Sequence, residues 1–194
     1  MTKAGFPKTR MVTFSGSTDR ARTGPWSCCR TRSPFPTDRV RLLFVCTGNI
    51  CRSPTAHAVA RTRLSAVGLD WQVDSAGTGG WHAGEAPDER AARAGAARGH
   101  DFSGLSAREV EPDDFSRFDH IIAMDRSHLR DLRAMPGAGR GAQISLMMDW
   151  AGETGVDVPD PYYGGEDGFD RVLSMIERSV DGLIGQLRCD QSKG

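Results

Sequence analysis

The chain has 194 residues, of which 25 are basic and 25 are acidic, so its formal net charge is zero. A nucleic-acid binder that uses the basic front of the chain is an alternative, but we expect no nucleic-acid partner, because the remainder is acidic and shows no interleaving of aromatic and basic residues. No segment reaches the roughly 18 consecutive apolar residues of a membrane-spanning helix, so we expect no membrane partner either. The length suits a single domain with a core of ordinary size.

The charge is distributed unevenly along the chain. Residues 1–41 hold nine basic and two acidic residues, whereas the remainder holds sixteen basic and twenty-three acidic residues. Residues 1–38 are rich in Thr, Ser, Pro, Gly and Arg and lack apolar periodicity, which is typical of disordered chains. We predict a disordered basic extension at 1–38 and a folded domain at 39–190. A solvated tail is the simpler interpretation, and a tail that binds acidic partners is the alternative.

Apolar runs and helical periodicities alternate through the rest of the chain. Four strands are predicted, at 41–45, 71–75, 118–124 and 143–147. Four helices are predicted, at 53–67, 87–98, 125–135 and 169–187. Asp125 is expected to cap the third helix, and the glycine-rich remainder of 137–155 is expected to be a surface loop. Alternating strands and helices favour an α/β sandwich built on a parallel sheet.

A tight loop is predicted between the first strand and the first helix. Gly48 and Asn49 both tolerate left-handed backbone angles, so the chain can curl directly after Cys46. Ser53 is expected to be the N-cap of the following helix, with Pro54 at its first position. Inward-pointing backbone N–H groups in such a curl, together with the helix N-terminus, favour the binding of an anion.

This loop places a cysteine and an arginine in the spacing Cys-x5-Arg. Arg52 can grip two oxygens of a phosphate, and the same positive field should hold Cys46 as a thiolate nucleophile. By itself the spacing also fits a buried cysteine at the end of a strand. A nucleotide-binding loop would need a Gly-Lys-Ser/Thr sequence, and the chain has no lysine between Lys8 and Lys193.

A phosphate-splitting thiolate needs a proton donor for the leaving oxygen, and Asp160 is the best candidate. Pro159 and Pro161 stiffen the backbone on either side of it. Tyr162 and Tyr163, the only tyrosines of the chain, adjoin it and can form the wall of a pocket for an aromatic ring. A Pro-Asp-Pro surface turn is the alternative interpretation of the local pattern.

Together these segments resemble the low molecular weight protein tyrosine phosphatases. The resemblance is carried by Val-Cys-Thr-Gly-Asn-Ile-Cys-Arg-Ser-Pro at 45–54 and Asp-Pro-Tyr-Tyr-Gly at 160–164. Val-Asp-Ser-Ala-Gly-Thr-Gly-Gly-Trp-His at 73–82 and Ile-Ala-Met-Asp at 122–125 also resemble that family, and the Gly-Trp-His segment resembles its actinobacterial branch. The resemblance covers residues 40–189.

The resemblance implies a three-layer α/β sandwich with a four-stranded parallel sheet in the order 2-1-3-4 and helices on both faces. It also implies that Cys46 forms a phosphocysteine, that Arg52 and the loop amides hold the phosphoryl oxygens, and that Asp160 is the general acid. The residues that it implies at the substrate site are Thr47, Gly48, Asn49, Ile50, Cys51, Ser53, Trp81, His82, Tyr162 and Tyr163.

Further roles follow from the same resemblance. Asn49 is expected to hold the curl of the loop with Ser75 as its partner. Cys51 is expected to form a reversible disulfide with Cys46, which would protect the nucleophile from over-oxidation. His57 stands where many members carry an acidic residue, and we interpret it as a solvent-facing helix residue. Ile50 stands where relatives that act on phosphoarginine tend to have threonine, so it favours phosphotyrosine.

The expected partners are phosphotyrosine-containing proteins, with inorganic phosphate and other oxyanions as inhibitors. We expect a monomer without cofactor or metal, because arginine and amides supply the positive charge that phosphoryl transfer needs. The five cysteines form no zinc spacing, and an odd number with a reactive thiol suits a reducing cytoplasm. A phosphoarginine phosphatase and an arsenate reductase of the same fold are the alternative enzymes, and a phosphopeptide-binding module is the alternative without catalysis.

Overall fold

The computed structural model describes residues 39–162 and 165–191, together with Met1. The predicted extension at 1–38, apart from Met1, lies outside the described residues. The strands are β1 (Arg41–Cys46), β2 (Gln72–Gly77), β3 (His120–Ala123) and β4 (Gln143–Leu146). The helices are α1 (Arg52–Ala66), α2 (Glu89–Ala97), α3 (Asp114–Arg117), α4 (Arg126–Ala134) and α5 (Glu166–Gln191), with a 3-10 turn at Met148–Ala151.

The four strands form one parallel sheet in the order β2-β1-β3-β4, which confirms the predicted topology. Val45 of β1 pairs with Ala76 of β2 and with Ala123 of β3, and Ala123 in turn pairs with Leu146 of β4. The carboxyl ends of the strands therefore meet at one edge of the sheet. In open α/β sheets this edge is where ligands bind.

Alternate residues of β1 face opposite layers, as the two-residue period of a strand requires. Leu42 and Phe44 belong to a core shared with α1 and α5, whereas Leu43 and Val45 belong to a core shared with α3 and α4. All four side chains are fully buried. Burial on both faces explains why β1 is a continuous apolar run in the sequence. With one core on each face of the sheet, the protein has the predicted three layers.

The long apolar stripe of α5 faces this core, as predicted. Its predicted core side chains are all buried, and they are Phe169, Val172, Leu173, Ile176, Val180, Leu183, Ile184 and Leu187. None of the helices in the described part of the chain combines the length and the apolar run that a bilayer crossing requires.

Two local predictions are wrong, and one is confirmed. Helix α1 begins at Arg52 after Cys51 without a capping side chain, and the predicted cap, Ser53, turns its hydroxyl inward instead. The predicted surface loop 137–155 contains the 3-10 turn, in which Met148 is fully buried, because α5 packs closely against it. Asp125 does cap α4, accepting a hydrogen bond from the His128 backbone N–H.

We predict that Gly182→Ala destabilises the protein, although this change normally stabilises a helix interior. A Cβ at Gly182 would lie 1.9 Å from the carbonyl oxygen of Trp150, where α5 crosses the 3-10 turn. The helix and the 3-10 turn would have to move apart to accommodate the added methyl group. This shift should lower the free energy of unfolding by about 1–3 kcal/mol, measured by urea denaturation. Gly168→Ala in the same helix is the matched control, since its Cβ would meet only ordinary contacts, the nearest 3.7 Å away. Equal stability of the two variants would contradict this packing.

Candidate active site

The loop of residues 46–52, here called the cysteine loop, connects β1 to α1 at the carboxyl edge of the sheet. The residues after β2 support it, since Thr78 N–H donates to the Cys46 carbonyl at 2.8 Å and Gly79 N–H donates to the Thr47 carbonyl at 3.0 Å. A Cβ at Gly77 would lie 2.6 Å from the Thr47 carbonyl oxygen. Only glycine therefore allows the two segments to approach this closely.

Asn49 fixes the curl of the cysteine loop. Its φ of 55° lies in the left-handed region, as predicted, and its side chain is buried. The Asn49 amide donates to the Ser53 hydroxyl at 2.8 Å, and its Oδ1 accepts from the Arg108 backbone N–H at 3.0 Å. These two hydrogen bonds hold the backbone in a conformation that few non-glycine residues adopt.

The Cys46 sulfur lies at the base of the loop, 3.0 Å from the Ser53 hydroxyl. That hydroxyl already accepts the Asn49 amide, so its own hydrogen is available to donate. The nearest acceptors are the Cys46 Sγ and, at 3.3 Å, the Ala76 carbonyl. Donation to the sulfur would stabilise a thiolate, because a hydrogen bond to the charged form favours that form.

Arg52 is the charged centre of the site, and it is only 4% exposed. Its Nη1 donates to Asp125 at 2.8 Å and to the Val158 carbonyl at 3.2 Å. Its Nη2 donates to Asp160 at 2.8 Å and to the Thr47 hydroxyl at 3.4 Å. The guanidinium therefore joins the cysteine loop, the start of α4 and the predicted acid loop.

The two carboxylates on Arg52 have different surroundings. The Asp160 side chain is 46% exposed, and its second oxygen accepts the Tyr162 backbone N–H at 3.0 Å. The Asp125 side chain is 18% exposed. Burial by itself would raise the pKa of Asp125, but contacts from His128 and Ser127 outweigh it and hold that pKa well below its usual range. Asp125 therefore stays ionised, whereas Asp160 faces solvent.

These side chains surround a cleft of about 280 Å³. Its lining consists of Cys46, Thr47, Gly48, Ile50, Cys51, Arg52, Trp81, His82, Asp160 and Tyr162, all of which are predicted site residues. The predicted substrate residues Asn49 and Ser53 do not line it, because their buried side chains support the loop from behind. Tyr163, also predicted here, lies outside the described residues.

Aromatic side chains surround the mouth of the cleft. Trp81 is 75% exposed and Tyr162 is 41% exposed. His82 packs on Gly48, where a Cβ would lie 2.8 Å from its ring, and its Nδ1 lies 2.7 Å from the Glu85 carboxylate. The mouth can therefore accept a flat apolar group above the charged base.

An arginine of α2 ties the mouth to the cysteine loop. Arg90 pairs with Asp88, donates to the Tyr162 carbonyl at 3.2 Å, and lies over the rings of Tyr162 and Phe169. The Asp88 backbone N–H in turn donates to the Ile50 carbonyl at 2.8 Å. Sequence analysis missed this connection, because Arg90 and Tyr162 are 72 residues apart in the sequence.

The second cysteine of the loop has an apolar environment. Cys51 is buried with Ala91 and Phe169. Burial, together with the nearby Asp88 carboxylate, raises the pKa of the Cys51 thiol to about 12. Cys51 is therefore a neutral thiol beside the predicted nucleophile, and neither cysteine is in a disulfide.

The predicted pairing of Ser75 with Asn49 is wrong. Asn49 uses both ends of its amide on Ser53 and Arg108, and the Ser75 hydroxyl lies 3.4 Å from Nδ1 of His57 instead. His57 is not solvent-facing as predicted, since it is only 8% exposed, and burial lowers its pKa to about 4. Helix α1 is covered on this side by the end of β2, so the histidine is enclosed and neutral.

Sequence analysis also missed the roles of Asp125, Arg108 and His128. Asp125 was identified as a helix cap and as part of a segment that resembles the family, but not as a partner of Arg52. Its position after β3, at the same sheet edge as Cys46, was a usable signal. Arg108 is held between Asp74 and Asp114, far from Asn49 in sequence. Within residues 39–162 and 165–191, no cluster of three or more His, Cys, Asp or Glu side chains is arranged to hold a metal ion.

Comparison of this chain with known proteins identifies its family. Residues 41–193 match the family model described as low molecular weight phosphotyrosine protein phosphatase. A low molecular weight protein-tyrosine-phosphatase of Streptomyces coelicolor is 46% identical over 155 residues, which cover 76% of this chain and 93% of the relative. This similarity agrees with the predicted actinobacterial type.

Solved structures give the same result. The crystal structure of YfkJ from Bacillus subtilis superposes with a TM-score of 0.73 at 37% identity, covering 79% of this chain and 97% of YfkJ. A Drosophila arginine phosphatase superposes with a TM-score of 0.72 at 31% identity, covering 76% of this chain and 98% of that protein. With a family model spanning residues 41–193, this chain belongs to the low molecular weight protein tyrosine phosphatases, hydrolases that act on phosphotyrosine.

Proposed function

We propose that this phosphatase uses Cys46 as its nucleophile, Arg52 as its oxyanion-binding residue and Asp160 as its general acid. The observation that carries this assignment is their convergence on one cleft, with the sulfur at its base and both charged groups on its wall. Nucleophile, anion site and proton donor are the three parts that a covalent phosphoryl transfer requires.

In the first step, the Cys46 thiolate attacks phosphorus and forms an S–P bond while the bond to the tyrosyl oxygen breaks. The leaving oxygen takes a proton from Asp160. In the second step, Asp160 removes a proton from water, the resulting oxygen attacks phosphorus, and the S–P bond breaks. Inorganic phosphate leaves and the thiolate is restored, so no external oxidant, reductant or metal enters the balance.

The position of Asp160 in the structure supports a competition at Arg52. The Asp160 carboxylate now holds one of the guanidinium nitrogens that a phosphoryl group would bind. An incoming phosphate dianion would take the place of this carboxylate on Arg52. Asp160 would then take up a proton from solvent beside the leaving oxygen, and this is the proton that it donates in the first step. Asp125 would keep its own hydrogen bond to Arg52 and maintain the orientation of the guanidinium.

The mouth of the cleft supports phosphotyrosine as the substrate. Ile50, Trp81 and Tyr162 present apolar and aromatic surface above the charged base, which suits a phenyl ring. Protein substrates that carry phosphotyrosine are the proposed partners, and inorganic phosphate and related oxyanions are the proposed inhibitors. Phosphoarginine remains the alternative substrate, since the Drosophila arginine phosphatase shares the fold. Relative rates on the two phosphoamino acids decide between them.

Arsenate reduction is a weaker alternative. A reductase of this fold needs a cysteine relay downstream of the loop, and the chain has no cysteine between Cys51 and Cys189. The compartment we propose is the reducing cytoplasm, because the mechanism needs Cys46 in its reduced form. The expectation of a monomer stays a prediction.

Replacement of the nucleophile should abolish turnover. Cys46→Ser removes the proposed nucleophile, so hydrolysis of p-nitrophenyl phosphate should fall below detection. Cys189→Ser, near the end of α5 and outside the cleft, is the matched control and should keep the wild-type rate. Steady-state kinetics on the two purified variants provides the measurement. Hydrolysis by folded Cys46→Ser would refute the assignment of the nucleophile.

Loss of the general acid should depend on the leaving group. Asp160→Asn keeps the shape of the side chain but cannot donate a proton, so kcat/KM should fall by about 10²–10⁴-fold for phenyl phosphate. The loss should be smaller for p-nitrophenyl phosphate, whose leaving group needs less help from an acid. The ratio of kcat/KM values on the two substrates is the measurement. A loss of the same size on both substrates would exclude Asp160 as the acid.

We also propose that Cys51 protects the nucleophile from oxidation. Peroxide converts the Cys46 thiolate to a sulfenic acid, and condensation with the Cys51 thiol gives a disulfide and water. Wild-type activity lost to peroxide should return with dithiothreitol, whereas Cys51→Ser should regain a smaller fraction because its sulfenic acid oxidises further. Equal recovery would argue against a protective disulfide.

A further inference from the structure

A buried histidine contacts the cysteine loop from behind the cleft. His128 lies in the first turn of α4 and is 2% exposed. Its Nε2 lies 2.7 Å from the Thr47 hydroxyl, and its Nδ1 lies 2.9 Å from the Asp125 carboxylate. The cleft lining does not include His128, so it reaches the reaction only through its neighbours.

Both neighbours of His128 contact Arg52. Asp125 accepts from Nη1 of Arg52 at 2.8 Å, and the Thr47 hydroxyl lies 3.4 Å from Nη2. The four side chains therefore form a closed ring, which runs from Arg52 through Thr47, His128 and Asp125 back to Arg52. Both outer nitrogens of the guanidinium are members of this ring.

The polar groups of the ring have compatible roles at each of its contacts. A lone pair on Nδ1 of His128 would repel the Asp125 carboxylate, so the proton of the neutral ring belongs on Nδ1. That contact is close but lies outside hydrogen-bond angles, so its contribution is electrostatic. Nε2 is then an acceptor, the Thr47 hydroxyl donates to it, and the oxygen lone pairs of Thr47 face the Arg52 N–H group.

We infer that His128 is a positioning residue, which orients the Arg52 guanidinium for the phosphoryl group through Thr47 on one side and Asp125 on the other. The inference rests on the proposed function, because it assigns His128 to the anion-binding half of that mechanism. Arg52 has several rotatable bonds, and a planar fork binds two oxygens only when its plane is fixed. Substrate binding removes Asp160 from Arg52, and the ring then holds the fork in place.

The test compares four variants by KM and kcat on p-nitrophenyl phosphate and by the inhibition constant of inorganic phosphate. His128→Leu and Thr47→Val each open the ring and should each raise KM and the phosphate inhibition constant by roughly tenfold. The double variant should be little worse than either single variant, because each already breaks the same ring. Thr47→Ser keeps the hydroxyl and should therefore raise both constants less than Thr47→Val does.

His100→Leu is the matched control for burial. His100 is also 2% exposed and lies 2.9 Å from a carboxylate, that of Glu177, but it is remote from the cleft. Its loss should lower stability and leave the phosphate inhibition constant unchanged. If His128→Leu does not fold, the test uses the phosphate inhibition constants of Thr47→Val and Thr47→Ser instead.

Two results would overturn the inference while the wild-type enzyme remains active. One is an unchanged phosphate inhibition constant in Thr47→Val and His128→Leu. The other is a double variant whose loss equals the product of the single losses, since independent effects multiply. A wild-type protein that hydrolyses no phosphomonoester would instead refute the proposed function, so the two failures are distinguishable.

Discussion

A buried positive charge organises this protein. Arg52 is almost fully enclosed, and an unpaired charge in that position would be strongly destabilising. Arg52 pairs with Asp125, Asp160 and the Val158 carbonyl, and these contacts connect the cysteine loop to the start of α4 and to the loop of residues 158–160. The same pairing prepares the site for an oxyanion, because a phosphoryl group can replace Asp160 while Asp125 keeps the guanidinium in place.

The backbone of the cysteine loop depends on two residues that tolerate unusual conformations or close contacts. Asn49 occupies left-handed space, and Gly77 allows the end of β2 to touch the Thr47 carbonyl. The energetic cost of the curl is offset by hydrogen bonds from Asn49 and Thr78 and by a parallel sheet whose central strand β1 is buried on both faces. A rigid sheet edge therefore presents the nucleophile and the anion site at a fixed separation.

Local sequence patterns predicted the alternation of strands and helices, and three residues that were predicted to share a site, Cys46, Arg52 and Asp160, line one cleft. The apolar run of β1, the Gly-Asn turn and the Arg-Ser-Pro helix start are contiguous, so their geometry depends mainly on neighbouring residues. The missed features depend on contacts between distant segments. Arg108 lies 59 residues from Asn49, and His128 lies 81 residues from Thr47. Nothing near either residue in the sequence indicates such a partner.

The wrong predictions for Ser53 and His57 arise from contacts that a helix pattern alone does not show. Ser53 has the pattern of an N-cap, but its hydroxyl accepts the Asn49 amide and lies 3.0 Å from the Cys46 sulfur, and these two contacts turn it inward. His57 was interpreted as solvent-facing at a position where many family members carry an acidic residue, yet α1 is enclosed by neighbouring elements around its first turns. The pattern of apolar residues predicts which side of a helix is buried when only that side packs on a core. The pattern gives no such prediction for α1, because its first turns are buried on several sides.

The central claim is that an oxyanion binds between the Cys46 sulfur and the Arg52 fork. A crystal structure of the protein with bound tungstate tests it most directly. We predict the anion seated over Cys46 Sγ and bound to Arg52 through Nη2, the nitrogen that Asp160 now holds, with Asp160 displaced from the guanidinium and Asp125 still bound to Nη1. Tungstate bound elsewhere, with Arg52 still paired to Asp160, would contradict this account.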